Sequence, residues 1–467
     1  MIGKYMTATV TEAERTISLS SYADFGLPVP LSLKVAREDQ PSVSDFGNLV
    51  QHIQSKVLEK FQVREFSKLP EDKQKTAIRL VAEQLIDAEK IPLSGSQRTL
   101  LMQDLLDEIV GLGPLEKLLR DSAVTDILVN GAKQIYVERR GRLQEVADHF
   151  RDEDHLLTII DRIVSRVGRR VDFSSPVVDA RLPDGSRVNA VIRPVALRGP
   201  TLSIRRFGVV PLQLHDLLQF KALTPNMAQF LEAAVKARLN IIISGGTGSG
   251  KTTLLNTLSA FIPNTERIIS IEDAAELQLQ QRQVVQLEAR PANLEGKGEI
   301  TIRDLLRTTL RMRPNRIIIG ECRGPEAFDM LQAMNTGHDG SLTTLHANSP
   351  RDALSRLEMM MMMAVRDVPL HVIREQIASA VNVIVQVDRL TGGPRRDTSI
   401  TEVMGCTSDV ITAQEIFRFK QLGVTSVGNA LGAFEAAVIP SCNLQRIHAA
   451  GIVLPLSIFH DCDPIEA

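Results

Sequence analysis

Leu239-Asn240-Ile241-Ile242-Ile243-Ser244-Gly245-Gly246-Thr247-Gly248-Ser249-Gly250-Lys251-Thr252-Thr253 reads as a buried strand, a glycine loop and the start of a helix. The three consecutive isoleucines are β-branched and apolar, as a fully buried strand requires. Leu254, Leu255 and Leu258 then recur at helical spacing. Between them, Gly245 to Thr252 fits G-x-x-x-x-G-K-[ST] at every fixed position. Glycines at these places let the backbone curl so that its N–H groups converge on a phosphate, and the following helix adds the positive end of its dipole. Gly245, Gly246, Thr247, Gly248, Ser249, Gly250, Lys251, Thr252 and Thr253 are therefore the expected nucleotide-binding residues. In that reading Lys251 reaches the β- and γ-phosphates and the Thr252 hydroxyl completes the shell of a Mg²⁺ ion. A glycine-rich turn between a strand and a helix is the plainer alternative, but it explains neither the lysine nor the threonine.

Composition bounds what surrounds this loop. A chain of 467 residues has room for about three domains. Its 43% apolar and 24% charged content is that of a globular protein. Four cysteines show no C-x-x-C spacing, which fits a reducing cytosol and predicts no structural zinc. No apolar run approaches the ~20 residues that span a bilayer, and a net charge of −2 argues against a protein that coats nucleic acid.

Upstream, residues 1–44 read as an irregular leader rich in Ser, Thr and Pro. Over 45–95, Leu49, Ile53, Val57, Ile78, Val81 and Leu85 recur every three or four positions, the pattern of a small helical bundle. Residues 96–206 read as an α+β domain. In it, strands end in the turns at Gly131 and Gly141, an amphipathic helix follows His155, and two strands flank Pro183-Asp184-Gly185. Arg162 to Arg206 holds ten arginines, no lysine and three carboxylates. With Phe173 as its only aromatic there is no stacking platform for bases, and arginine in place of lysine suits bidentate phosphate or carboxylate pairing. Residues 207–224 read as a hinge linker, 225–395 as the nucleotide domain, and 396–467 as C-terminal strands with a closing segment. The run Met359 to Met363 reads as a helix buried in a core or a subunit interface.

Downstream, three stretches add chemistry. Arg316-Ile317-Ile318-Ile319-Gly320-Glu321 is a buried strand that delivers a carboxylate at its end, where α/β sheets place ligands. Ile268-Ile269-Ser270-Ile271-Glu272-Asp273-Ala274-Ala275-Glu276 delivers three more from another strand end. Gly337-His338-Asp339-Gly340-Ser341-Leu342-Thr343-Thr344-Leu345-His346 sets two histidines among small and polar residues.

These four blocks, in order and spacing, resemble the Walker A, Asp box, Walker B and His box of the type II/type IV secretion ATPases. The stretches Gly111-Leu112-Gly113-Pro114-Leu115-Glu116, Val129-Asn130-Gly131, Val178 to Asn189 and Gly199 to Phe207 are similar to the CpaF/TadA branch, the motor of tight-adherence (Flp-type) pili. The resemblance implies an α/β fold: a RecA-like P-loop ATPase domain with a mostly parallel sheet and helices on both faces, preceded by a PAS-like α+β domain and the bundle. It implies a hexameric ATP hydrolase, cytoplasmic and peripheral at the inner face of the bacterial inner membrane. That motor would act on a pilus or secretion platform protein and bind no nucleic acid directly. Glu321 then matches the glutamate that polarises the attacking water, and Glu276 the Asp-box glutamate; both would reach Mg²⁺ through water. His338 and His346 match the histidines that contact nucleotide. Arg187, Arg193, Arg205 and Arg206 are the implied arginine fingers toward ATP, with Arg193 standing where the family usually has proline. A RecA-like nucleic-acid motor is the competing reading, disfavoured by near-neutral charge, few aromatics and the His box. A small-molecule kinase using the same loop is a third, but nothing resembles a phosphoacceptor pocket.

Overall fold

The computed structural model describes residues 43–60, 69–139, 141–207, 211–292, 296–365, 367–425, 428–437 and 441–460. The leader expected over 1–44 lies, but for its last two residues, outside them, as do 208–210 of the expected hinge. Among the described residues no helix is long and apolar enough to cross a membrane. The chain divides into two compact units, 1–116 and 117–467.

In the first unit, helices Val43–Lys60, Glu71–Ala88 and Gly95–Ile109 pack around one core. Ile53, Val57, Ile78, Ala82 and Ile86 meet Leu101, Leu105 and Leu106, all buried. The third helix starts at a capping box, where Ser94 Oγ accepts from Gln97 N and Gln97 Oε1 accepts from Ser94 N. The sequence reading put this helix with the α+β domain. Its apolar stripe instead finds its partners in the bundle, so the division falls at 116 rather than 95. A chain cut to begin at residue 93 is consequently expected to present Leu101, Leu105 and Leu106 to water and to aggregate. Light scattering at matched concentration tests this, and a monodisperse truncated chain would refute it.

The second unit begins with an antiparallel sheet of order β3-β2-β1-β6-β5-β4. Its strands are β1 Val124–Asn130, β2 Ile135–Arg139, β3 Arg142–Val146, β4 Val177–Arg181, β5 Arg187–Val191 and β6 Thr201–Arg205. The helix Glu153–Arg166 carries Leu156, Ile159, Ile160 and Ile163 on its buried stripe. Residues 211–224 are less a free linker than expected. Their helix Leu214–Gln219, with Leu217, Ala222 and Leu223, joins the core of the sheet that follows.

That second sheet has nine strands in the order β15-β14-β13-β12-β7-β11-β10-β8-β9. The six from β12 to β9 run parallel: β7 Ile241–Gly245, β8 Ile268–Glu272, β9 Val284–Glu288, β10 Arg316–Ile319, β11 Leu342–Leu345 and β12 Val383–Arg389. β13 Arg395–Thr407, β14 Val410–Val424 and β15 Ala430–Ala436 continue the same sheet antiparallel. The segment expected as a separate C-terminal piece is thus largely sheet extension, and the sheet is mixed. Strand alternation builds a core on each face. Ile241 and Ile243 pack with helices Pro225–Lys236 and Lys251–Ser259 on one side. Ile242 packs with helices Ile302–Thr309, Glu326–Asn335, Pro350–Ala364 and Leu370–Ala380 on the other. The methionine run divides accordingly: Met360 and Met361 are buried in that second core, while Met359, Met362 and Met363 are exposed.

The end of the sheet away from the glycine loop is held by a charge that sequence reading passed over. Arg316 is fully buried at the start of β10. Its Nε lies 2.6 Å from Glu266 Oε2, Nη2 donates to Val235 O (2.9 Å) and Nη1 to Gly340 O (3.2 Å). Any side chain at Gly340 would overlap that guanidinium. Burial works to raise the Glu266 pKa, but the guanidinium groups of Arg316 and Arg238 outweigh it and hold the carboxyl below its ordinary value. Because this folded-state pKa is depressed, the stability it contributes is complete above the unfolded pKa of about 4.3 and is lost as pH falls through the folded value. Arg316→Ala is expected to cost about 3–5 kcal/mol, since it breaks the buried ion pair, leaving Glu266 with Arg238 alone, and strips the Val235 and Gly340 carbonyls of their buried donor. Urea unfolding at pH 7 measures this; a cost under about 1 kcal/mol would refute the assignment.

Candidate nucleotide site

The glycine loop lies at the carboxyl ends of the parallel strands, outside β7, with β8, β10 and β11 ending nearby. Gly250 caps the helix Lys251–Ser259 with a φ of 108°, and Gly248 also sits at positive φ, conformations that favour glycine. Gly245 is required for a different reason: a Cβ there would overlap the Val387 carbonyl oxygen of β12. The loop is also held from a strand that sequence reading did not connect to it. Arg395, first residue of β13, donates from Nε to Gly248 O at 2.9 Å.

Lys251 is buried at the loop's end and donates from Nζ to Gly246 O (2.8 Å), 3.4 Å from His346 Nε2. Burial pushes its pKa down, partly offset by the Glu321 carboxylate. Glu321 follows β10 by two residues. Its Oε2 accepts from Arg323 Nη2 at 2.7 Å, and its Oε1 lies 3.1 Å from His346 Nε2 without the alignment of a hydrogen bond. Burial works to raise this carboxyl, but the Arg323 hydrogen bond, with the charges of Arg323, His346 and Lys251, outweighs it and keeps Glu321 below the usual carboxylate range. His346 is pushed down, by burial first and then by the Lys251 charge, and is therefore neutral near pH 7. Its counterpart is elsewhere. β11 pairs with β7 in parallel from Leu342↔Ile241 to Leu345↔Ser244, so His346 stands beside the loop and His338 beyond the opposite end of the strand. His338 N donates to Ala333 O, and its carbonyl accepts from Ser341 Oγ. The paired histidines of the sequence reading are separated within the chain by the length of a four-residue strand.

Of the three Asp-box carboxylates, Glu272 turns inward. It accepts from Glu276 N (2.7 Å) and Leu277 N (3.1 Å), and burial raises its pKa. The absence of a side chain at Gly320 makes room for it, since a Cβ there would come within 2.8 Å of Glu272 Cγ. Asp273 reaches toward Arg323 at 3.4 Å. Glu276 Oε1 is paired with Arg187 Nη1 at 3.1 Å, and Arg187 Nη2 donates to Ala274 O at 3.0 Å. Arg187 heads β5, so this contact joins the six-stranded sheet to the loop after β8. The other three implied fingers are differently engaged. Arg193 pairs with Glu153 (3.5 Å) and Arg205 with Asp126 (3.2 Å). Arg206 donates to the backbone carbonyls of Asp121 and Val124. Arg187 alone of the four meets the Asp box among the described residues. Arg323 is the contributor that sequence reading missed, although Glu321-Cys322-Arg323 places it two residues from the glutamate.

A glycine loop between a parallel strand and its helix, beside carboxylates from two neighbouring strand ends, is the arrangement of an α/β phosphate-loop protein. The chain belongs to the type II/IV secretion system protein family, whose model matches residues 108–424. It is 40% identical over 299 residues to a putative conjugal transfer protein of Mycobacterium tuberculosis, covering 62% of this chain and 84% of that one. It is 33% identical over 304 residues to the type IV secretion system protein VirB11 of Brucella suis, covering 59% and 84%. Among solved structures, the Brucella suis VirB11 ATPase in complex with sulphate aligns at 31% identity with a TM-score of 0.35, over 62% of this chain and 94% of that one. The pilus retraction motor PilT with bound ADP aligns at 18% identity with a TM-score of 0.46, over 72% and 86%.

Proposed function

We propose that this chain hydrolyses ATP and works as a hexameric ring at the cytoplasmic face of the inner membrane, driving assembly of a tight-adherence (Flp-type) pilus or related secretion. The observation that carries the hydrolytic reading is the convergence of Lys251, Glu321 and His346 beside the glycine loop, with Glu321 held ionised. Its pilus branch rests on the N-terminal sequence blocks, whose six-stranded sheet we read as the PAS-like domain, and its secretion setting is in keeping with the family and the printed names of the relatives.

The loop fits a phosphate group. Gly248 and Gly250 hold positive φ, Gly245 has no room for a side chain, and the buried Ser249 hydroxyl is left without a partner. No group of three or more His, Cys, Asp or Glu that would cage a metal occurs among the described residues. That suits Mg²⁺ held by one hydroxyl, substrate phosphates and water rather than by an all-protein cage. Thr252, with Glu276 and Glu321 through water, would hold it, and when bound it supplies charge stabilisation at the β- and γ-phosphate oxygens. Lys251 neutralises the phosphates. Glu321, ionised and with Oε1 free of a hydrogen bond, accepts from the attacking water and aims it in line with the leaving oxygen. His346, neutral, borders that water without repelling Lys251 as an imidazolium would. Arg187 brings charge from the six-stranded sheet, so that sheet and loop draw together around the substrate. Movement then follows from the different ATP affinity of closed and open arrangements.

Ring assembly gives the direct test. Turnover per chain is expected to rise steeply with protein concentration as a single larger species forms in analytical ultracentrifugation. A flat specific activity across the assembly range would overturn the shared-site ring.

A further inference from the structure

A second cleft, apart from the glycine loop, is lined by arginines. The β2–β3 hairpin and the turn between β12 and β13 enclose a cleft of about 710 Å³, within the range of small-molecule sites. Among the described residues its charged side chains are Arg139, Arg142 and Arg396, with Gln144 and Asn429 as neutral polar partners and no carboxylate in its wall. Arg139 is already neutralised by Asp121 at 2.9 Å. The other two are not. The Arg142 side chain makes no ion pair or hydrogen bond among the described residues. Arg396 spends Nη1 on the carbonyls of Phe220 (2.9 Å) and Arg395 (3.1 Å), and makes no ion pair among the described residues, its register partner Asp388 bonding Thr398 and Gln386 instead. The neighbouring Asp397 offers no relief. It is fully buried, and burial alone lifts its pKa to about 8. A half-buried guanidinium without a counter-charge is costly, and burial accordingly presses the Arg396 pKa down. The turn adds a further feature: Gly392 and Gly393, both at positive φ, and Pro394 leave its wall without long side chains.

We propose that this cleft binds a phosphate-bearing ligand, held by Arg142 and Arg396 and bridging the β2–β3 hairpin to the β12–β13 turn. Arginine's planar fork suits phosphate oxygens, and two guanidinium groups without an ion-pair partner lining one cleft suit a ligand with more than one anionic oxygen group. The site adjoins the glycine loop without sharing its residues. Arg395, next in sequence to Arg396, spans from Gly248 O to within 3.9 Å of Glu138 on β2. The ligand is either a free phosphorylated molecule or an anionic lipid headgroup.

Calorimetric titration of Lys251→Ala with inorganic pyrophosphate separates this site from the loop. Binding is expected to persist, and to weaken about tenfold or more when Arg142→Gln is added. Arg142 is exposed at the hairpin edge, so this variant leaves the fold intact, and Arg396→Gln is the second arm. Co-sedimentation of the same variants with phosphatidylglycerol vesicles, against phosphatidylcholine vesicles, reports the lipid source. Arg142-dependent pyrophosphate binding supports a soluble ligand, and Arg142-dependent vesicle binding alone supports a headgroup. Absence of both, or binding indifferent to Arg142 and Arg396, overturns the proposal.

Discussion

Glu321→Gln is expected to lower ATP turnover about 100-fold or more while nucleotide affinity stays near that of the parent chain. A group that orients or deprotonates the attacking water acts mainly in the transition state, and such groups contribute typically about 10²–10⁴. The substitution keeps size and shape but removes the charge that Arg323 and Lys251 hold in place. Lys251→Ala should differ in kind, weakening nucleotide binding along with turnover, because its charge serves the bound phosphates in ground and transition state alike. The acid limb of the rate profile gives an independent check. In the proposed mechanism Glu321 must be ionised to act, so its depressed pKa is expected to keep turnover going to lower pH than an ordinary glutamate would. Arg323→Ala removes the largest of the influences that lower it and is expected to move the acid limb upward. Near-parent turnover in Glu321→Gln, or an acid limb unmoved by Arg323→Ala, would dismiss this role for the carboxylate.

The second large effect belongs to Arg187. It is the one candidate finger whose guanidinium already touches the loop after β8, through Glu276 and Ala274 O. Arginine side chains that meet developing charge on a transferring phosphoryl group are worth about 10³–10⁵ in related chemistry. A partly exposed pair such as Arg187–Glu276 contributes little to stability by itself, about 0–1 kcal/mol. Arg187→Ala should therefore leave the melting temperature almost unchanged and reduce turnover at least 100-fold, with Arg187→Lys recovering only part. Arg206→Ala makes the contrast. Its guanidinium ties down the backbone of Asp121 and Val124, so its loss should appear as reduced stability before reduced chemistry. Equal turnover losses in the two variants, or a full-rate Arg187→Ala, would remove the distinction.

Much of this was legible in the residues because it depends on short stretches of backbone. Strand, glycine loop and helix at 239–258 follow from β-branching, glycine φ and helical spacing, all local properties. The same holds for the Pro-Asp-Gly turn between β4 and β5 and for the carboxylates at the ends of β8 and β10. What only the tertiary structure decided depends on which distant segments share an edge or a core. Residues 395–436 extend the nucleotide sheet because β13 finds its register on β12, a pairing no local pattern encodes. The helix at 95–109 sides with the bundle because its stripe matches buried positions there. Arg316, whose charge the sequence reading passed over, proves to be a fully buried cation, since Glu266 and two carbonyls from other segments converge on it. His338 and His346, eight residues apart in sequence, lie beyond opposite ends of β11 because an extended strand advances about 3.3 Å per residue. The sequence alone determined which residues have the chemistry; the parallel stacking of strands decided which of them meet, because ion pairs and hydrogen bonds act only over the few ångströms that packing sets.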